Sequence, residues 1–214
     1  MKLQILVVGG YQVNCCLYYD EDKNEGVIID PGDQGDHIIS TVEEIGFTPQ
    51  AILLTHGHGD HIGAVAEVKD HFGIPLYACE DEKELLLKPE LNMSAYSGNP
   101  VTSPLADHWV KDEDYVTIGS VSLKVYHTPG HSPGGVCYLD EKENLMFCGD
   151  TLFYGSIGRT DFPGCSTEQL LNSIKSKILT LPDGIKCIPG HGPATTIGAE
   201  RINNPFLQEG GNYV

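Results

Sequence analysis

Long apolar runs are missing from these 214 residues, and positive charge is scarce. Thirteen lysines and arginines stand against 30 aspartates and glutamates, a formal net charge of -17. No stretch approaches the roughly 18 apolar residues of a membrane span. Residues 1–8 carry one lysine and a short apolar run broken by Gln4, not a signal-peptide core with a cleavage site. Neither a membrane nor an export route is therefore expected, and a cytoplasmic location is. The excess of carboxylates repels phosphate, which argues against nucleic acid as a partner. The seven cysteines are odd in number and none forms a Cys-x-x-Cys pair. Cys79, Cys137, Cys148 and Cys187 sit in apolar strand-like runs, so they read as reduced, buried thiols rather than a disulfide frame or thiolate zinc site.

What remains is ordinary globular composition, 40% hydrophobic and 20% charged, enough to close a large core. No linker or repeat divides the chain, so one domain over 1–214 is expected. Alternation predicts strands over 3–8, 15–19 and 26–30, with 20–25 as a polar turn. Ile38, Val42 and Ile45 share a helical face that Gly46 ends. A short apolar run at 51–54 reads as a buried strand. Ile62, Val65, Ala66 and Phe72 then follow helical spacing up to Gly73. A strand at 75–78 and a charged, exposed helix at 80–88 come next. Segment 89–110, rich in Pro, Asn, Ser and Gly, is the least regular part of the chain; with Met93, Tyr96 and Trp109 it is a candidate cover for a binding mouth. Strands are predicted at 115–118, 121–127, 135–139, 145–148 and 186–188. Ser166 and Gln169 form a capping box ahead of the Leu170, Ile174 and Ile178 face, and a short helix is expected around 198–203. The mixed order predicts an α/β fold of two packed sheets flanked by helices.

The strongest signal is Thr55-His56-Gly57-His58-Gly59-Asp60-His61, a His-x-His-x-Asp-His pattern just after an apolar strand. In extended backbone, His56 and His58 share a face and can grip one cation. Asp60 and His61, where the chain turns into a helix, can reach a second. Gly57 and Gly59 are expected to let the backbone approach the metal. One such segment cannot complete two sites, so distant loops must contribute. His131, Asp150 and His191 each follow a strand and each sit beside a glycine. His37, His71, His108 and His127 have no such context and read as surface or core residues.

These blocks, in this order and spacing, resemble the metallo-β-lactamase superfamily over nearly the whole chain. The resemblance implies an αββα sandwich with a dinuclear centre at one edge of the two sheets. It assigns His56, His58 and His131 to one metal, Asp60, His61 and His191 to the other, and Asp150 to a bridge. A set of imidazoles and carboxylates without cysteine suits two divalent ions, zinc first, with iron or manganese as alternates. Such a pair lowers the pKa of a shared water, so hydroxide attacks without a serine or cysteine nucleophile. With Asp60, Asp150 and the hydroxide counted, roughly one positive charge remains to stabilise a developing oxyanion or thiolate. Asp60 and Asp150 are therefore the candidate catalytic residues.

The stretch 149–162 looks like the equivalent loop of glyoxalase II type thioesterases, particularly the short bacterial, hydroxyacylglutathione hydrolase-like branch. The resemblance implies hydrolysis of a small hydroxyacyl-thiol ester. It also places Arg159, one of only two arginines in the chain, where a basic residue meets a substrate carboxylate; a salt bridge to Asp161 is the other reading. Tyr154 in the same stretch is a second candidate substrate contact. Members with full glutathione recognition carry a separate C-terminal helical domain. Here 23 residues follow His191, with Arg201 their only basic side chain. Alternatives within the superfamily are a persulfide dioxygenase using a single iron, which Gly158-Arg159-Thr160-Asp161-Phe162 also resembles, and a lactonase. The sequence leaves monomer against homodimer open.

Overall fold

The computed structural model describes residues 1–208; of the domain expected over 1–214, positions 209–214 lie outside the described residues. Six strands form the first sheet, in the order of the chain: β1 (Lys2–Val8), β2 (Val13–Asp20), β3 (Glu25–Ile29), β4 (Thr48–Leu53), β5 (Leu76–Cys79) and β6 (His108–Val110). β1, β2 and β3 pair antiparallel, and β3 through β6 pair parallel. The second half contributes β7 (Tyr115–Ile118), β8 (Val121–His127), β9 (Val136–Asp140), β10 (Leu145–Gly149), a two-stranded hairpin of β11 (Leu152–Phe153) and β12 (Ser156–Ile157), then β13 (Lys186–Pro189) and β14 (Thr195–Thr196). The second sheet runs β14-β13-β10-β9-β8-β7, with β10 and β13 parallel and the other neighbours antiparallel. The helices are α1 (Gly35–Ile45), α2 (Gly59–Ile62), α3 (Val65–Phe72), α4 (Lys83–Leu87), α5 (Thr167–Ser173) and α6 (Ile197–Asn203).

Both faces of each sheet are covered, which explains the nearly unbroken apolar strands. Along β2, Cys15 and Leu17 join an outer layer with Ile38 and Val42 of α1 and Val65 and Val68 of α3. Their neighbours Cys16 and Tyr18 face the other way, into the layer between the sheets with Phe147, Tyr138 and Leu123. On the far side, Met146 and Cys148 of β10 pack under Leu170 of α5, Ile174 and Ile178. Helix, sheet, sheet, helix is thus the observed stacking. Gly46 ends α1 at φ 82°, its N–H returning to Val42 O, and Ser166 Oγ accepts the Gln169 N–H at the start of α5. No helix among the described residues is long and apolar enough to cross a membrane.

Two expectations change. The segment 80–88 is not an exposed helix: a single 3₁₀ turn, Glu80–Glu82, leads into α4, and Glu82, Leu85 and Leu86 are buried. The segment 89–110 is not wholly irregular, since it closes on β6, a parallel edge strand of three residues paired to β5. Trp109, on that strand, packs against the outer apolar layer rather than covering a mouth. All seven cysteines are free, and six are buried.

Candidate metal centre

The loops that leave β3, β4, β8, β10 and β13 meet at one end of the sandwich. They carry Asp30, residues 55–61, His131, Asp150 and His191. Asn14 of β2 ties the last of these loops down, donating from Nδ2 to Pro189 O and Gly192 O at 2.9 Å each. A cleft of about 790 Å³ opens over the cluster, and His58, Asp60, His131, Asp150 and His191 reach its surface.

All seven sequence-predicted ligands converge. His56, His58 and His131 present ring nitrogens within 4.8 Å of one another, and so do ligand atoms of Asp60, His61 and His191. His56, His61 and Asp150 make an overlapping group on the same criterion. Asp150 reaches both sides: Oδ1 lies 3.4 Å from His61 Nε2, while Oδ2 lies 3.4 Å from His131 Nε2 and 3.5 Å from His191 Nε2. His191 Nε2 stands 3.3 Å from Asp60 Oδ2 and 3.3 Å from His61 Nε2. Ligands about 2.1 Å from a tetrahedral ion are spaced roughly 3.4 Å apart, so separations of this size would suit a bound cation. Among the described residues, His56 Nε2 and Asp150 Oδ1 are buried with no hydrogen-bond partner. Orphaned polar atoms are costly in an interior. Two of them in one cluster fit a bound cation, and the donor set fits a divalent pair.

The rings are aimed from behind. His61 Nδ1 meets Asp30 Oδ2 at 3.0 Å, His131 Nδ1 donates to Arg159 O at 2.7 Å, and His191 Nδ1 donates to Tyr11 O at 2.9 Å. His56 Nδ1 lies 3.1 Å from Thr55 Oγ1. Anchoring Nδ1 in this way selects the tautomer that turns a bare Nε2 inward. His58 is the exception, with Nδ1 facing the centre, 2.9 Å from His131 Nε2. Burial and the neighbouring His131 hold His58 down to about 3, and burial with the charge of His61 pushes His56 well below the usual imidazole range. Both are neutral, the form that binds metal. At the carboxylate-rich end the balance reverses. Burial is outweighed by Asp150 and Asp60, which raise His191 to about 10, so a cation held at this end would displace the His191 proton. Asp150 itself is held well below the usual carboxylate range, because His61 and His191 outweigh its burial.

Two supporting residues escaped the sequence reading. Asp30, buried at the end of β3, also accepts Thr55 N–H at 2.8 Å and Thr55 Oγ–H at 2.6 Å. Its place just after an apolar strand was the available signal. Glu82 is fully buried and accepts two backbone N–H groups, Gly57 at 2.7 Å and Gly134 at 2.5 Å. It therefore staples the loop bearing His56 and His58 to the loop bearing His131. Burial raises its carboxyl, and the Ser132 hydroxyl with the N–H groups of Gly134 and Gly57 pulls back against that rise. A Cβ at Gly57 would meet Glu82 and Leu85 at 2.9 Å, and one at Gly59 would meet Ser94 Cβ at 2.6 Å. These glycines make room for Glu82, Leu85 and Ser94 behind the histidine motif.

The expected substrate contacts fare differently. Arg159 lines the cleft, but its side chain is 62% exposed and its guanidinium is paired bidentately with Asp161 at 2.8 and 2.9 Å. It also lies 4.1 Å over the Phe162 ring. Tyr154 is 66% exposed and does not line the cleft; its neighbour Phe153 does, with its ring 6.2 Å from that of His191. The two-residue turn between β11 and β12 presents Phe153 to the cleft and Tyr154 to solvent.

The family model for the Metallo-beta-lactamase superfamily matches residues 8–191. Hydroxyacylglutathione hydrolase GloC of Haemophilus influenzae is 38% identical over 97% of this chain and 98% of its own length. Among solved structures, BLEG-1 B3 metallo-beta-lactamase is 47% identical with a TM-score of 0.92, covering 96% of this chain and 99% of that one. TTHA1623 in a di-iron-bound form is 36% identical with a TM-score of 0.86, covering 95% and 100%. The chain belongs to the metallo-beta-lactamase superfamily.

Proposed function

We propose that this superfamily member is a metal-dependent thioesterase of the glyoxalase II type, acting on small hydroxyacyl-thiol esters with a pair of zinc ions. His56, His58 and His131 would hold one ion, Asp60, His61 and His191 the other, and Asp150 would stand between them. When bound, such a pair brings a shared water towards neutral pKa and polarises the acyl oxygen. The rest is done by the chain. Neutral His56 and His58 offer lone pairs without first losing a proton. Asp60, the more exposed carboxylate, lines the cleft, where it can accept a hydrogen bond from a water and hold it in line. Asp30, Tyr11 O and Arg159 O keep the rings from turning as charge builds up.

The observation that carries this reading is the convergence of seven nitrogen and carboxylate ligands at the floor of a cleft large enough for a small molecule. GloC, a hydroxyacylglutathione hydrolase over matching length, supports the thioester class. The di-iron relative keeps iron as the alternate metal. The 47% identical BLEG-1 structure favours one second reading, β-lactam hydrolysis at the same centre. Protein loaded separately with zinc, manganese or ferrous iron should be assayed on S-lactoylglutathione, a thioester of a smaller thiol, nitrocefin, a homoserine lactone and glutathione persulfide under oxygen. Thioester turnover with two metals per chain is the expected result. Turnover of nitrocefin, lactone or persulfide with both thioesters left intact would overturn it.

A further inference from the structure

The wall of the cleft away from the metal ligands has a character of its own. Val8 and Tyr11 stand on one side, Met93 and Tyr96 on another, and Phe153 and Phe162 complete it. Tyr11 and Tyr96 are 64% and 72% exposed, large apolar surfaces of a kind that usually marks a contact site.

The wall is built, not slack. Asn92 is buried and its side chain donates to Leu85 O at 2.9 Å and Val101 O at 3.0 Å, while its Oδ1 accepts from Ser94 N and Ser94 Oγ. Asn92 O accepts the Gly59 N–H at 2.8 Å, tying this rim directly to the histidine motif. Met93 is held at φ 68°, a conformation that a non-glycine residue keeps only when its surroundings impose it.

Charge on this wall is sparse and mixed in sign. Among the residues lining the cleft, Arg159 is the single lysine or arginine, and Asp161 already engages the Nε–Nη2 edge of its guanidinium. Asp33 adds a carboxylate to the lining. An arm bearing two carboxylates would find one shared counter-ion and a repelling neighbour; an uncharged hydrocarbon arm would find six apolar side chains.

Building on the thioesterase reading, we propose that this wall is a subsite for the thiol arm of the substrate and that it takes an uncharged, apolar arm in preference to a carboxylate-bearing one such as glutathione. The test pairs hydrolysis with binding. Zinc-loaded enzyme is assayed on lactoyl thioesters of glutathione, N-acetylcysteamine, butanethiol and hexanethiol. Calorimetry then measures non-hydrolysable thioethers in which a carboxymethyl group stands in for the acyl group and the other sulfur substituent, the thiol arm, is glutathione, N-acetylcysteamine or an alkyl chain of increasing length. Binding should tighten about three- to fourfold per added methylene, as expected for apolar burial. Neutral arms should exceed glutathione by tenfold or more in kcat/KM. Tyr96→Ser should flatten the methylene dependence with metal content unchanged. A tenfold preference for the glutathione arm in either assay, or affinity indifferent to chain length, would overturn the subsite. Failure to cleave any thioester, with length-dependent thioether binding retained, would sink the thioesterase reading and leave the apolar subsite supported.

Discussion

Replacing Glu82 by glutamine should loosen one half of the metal centre without touching a ligand. The wild-type carboxylate satisfies Gly57 N and Gly134 N together. A glutamine of the same size offers one oxygen, so its NH₂ must face the second N–H. One buried donor is left without an acceptor, a cost of about 1–3 kcal/mol. In a chain of this length that corresponds to a fall in Tm of roughly 2–12 °C. Leucine strands both donors, and E82L should cost roughly twice as much. The more telling effect is on metal. His56, His58 and His131 ride on the two loops that Glu82 joins, whereas Asp60, His61 and His191 are held by Asp30, Tyr11 O and helix α2. Loss of a supporting partner typically costs 10- to 100-fold in metal affinity. Competition against a graded chelator, followed by cobalt absorption, should show one weakened and one nearly normal site. Equal weakening of both sites, or wild-type affinity with wild-type Tm, would refute the staple.

Other consequences can be tested alongside it. His58→Ala and Asp150→Ala should each lose metal and thioester turnover together, as read by metal analysis; a metal-free, fully active variant would contradict the assigned roles. Asp30→Asn should fold but turn an amide NH₂ towards His61 Nδ1, weakening metal at the Asp60, His61 and His191 end by 10- to 100-fold in a titration. Phe147→Ala empties space between the sheets and removes the edge contact to Tyr18 at 5.2 Å, so calorimetric stability should drop by about 3–5 kcal/mol. Burial raises the Glu82 carboxyl, so the folded protein holds that proton more tightly than the unfolded chain and loses stability as pH rises through the folded value. Wild type should therefore gain stability over E82Q as pH falls from neutral towards the usual carboxylate range, measured by urea unfolding.

How much of this was legible depended on whether a residue's role was local. His56, His58, Asp60 and His61 lie in one short segment whose spacing encodes their geometry, and His131, Asp150 and His191 each follow a strand beside a glycine. Covered sheets were legible in β2, β3 and β4, whose apolar residues leave no solvent face. Glu82 was hidden because Glu80, Asp81, Glu82, Lys83 and Glu84 form a charged run, and nothing local says that one member turns inward to meet backbone from residues 25 and 52 positions away. β6 was hidden for a related reason: three residues among prolines and polar groups become a strand only because β5 offers a parallel edge. Tyr154 against Phe153 was a choice of side at a tight turn, which composition does not fix.

The imidazoles of His131 and His191 lean on the main-chain oxygens of Arg159 and Tyr11, both of which also line the cleft. A carbonyl is common to every amino acid, so the side chains at those two positions can be exchanged without disturbing the anchor behind the ring. Mutation can rewrite the rim for a new ligand while the inner ring orientation survives. Such a separation lets a lineage explore substrates without first risking its metals, and it makes Tyr11 and Arg159 natural positions at which to randomise this enzyme for altered selectivity.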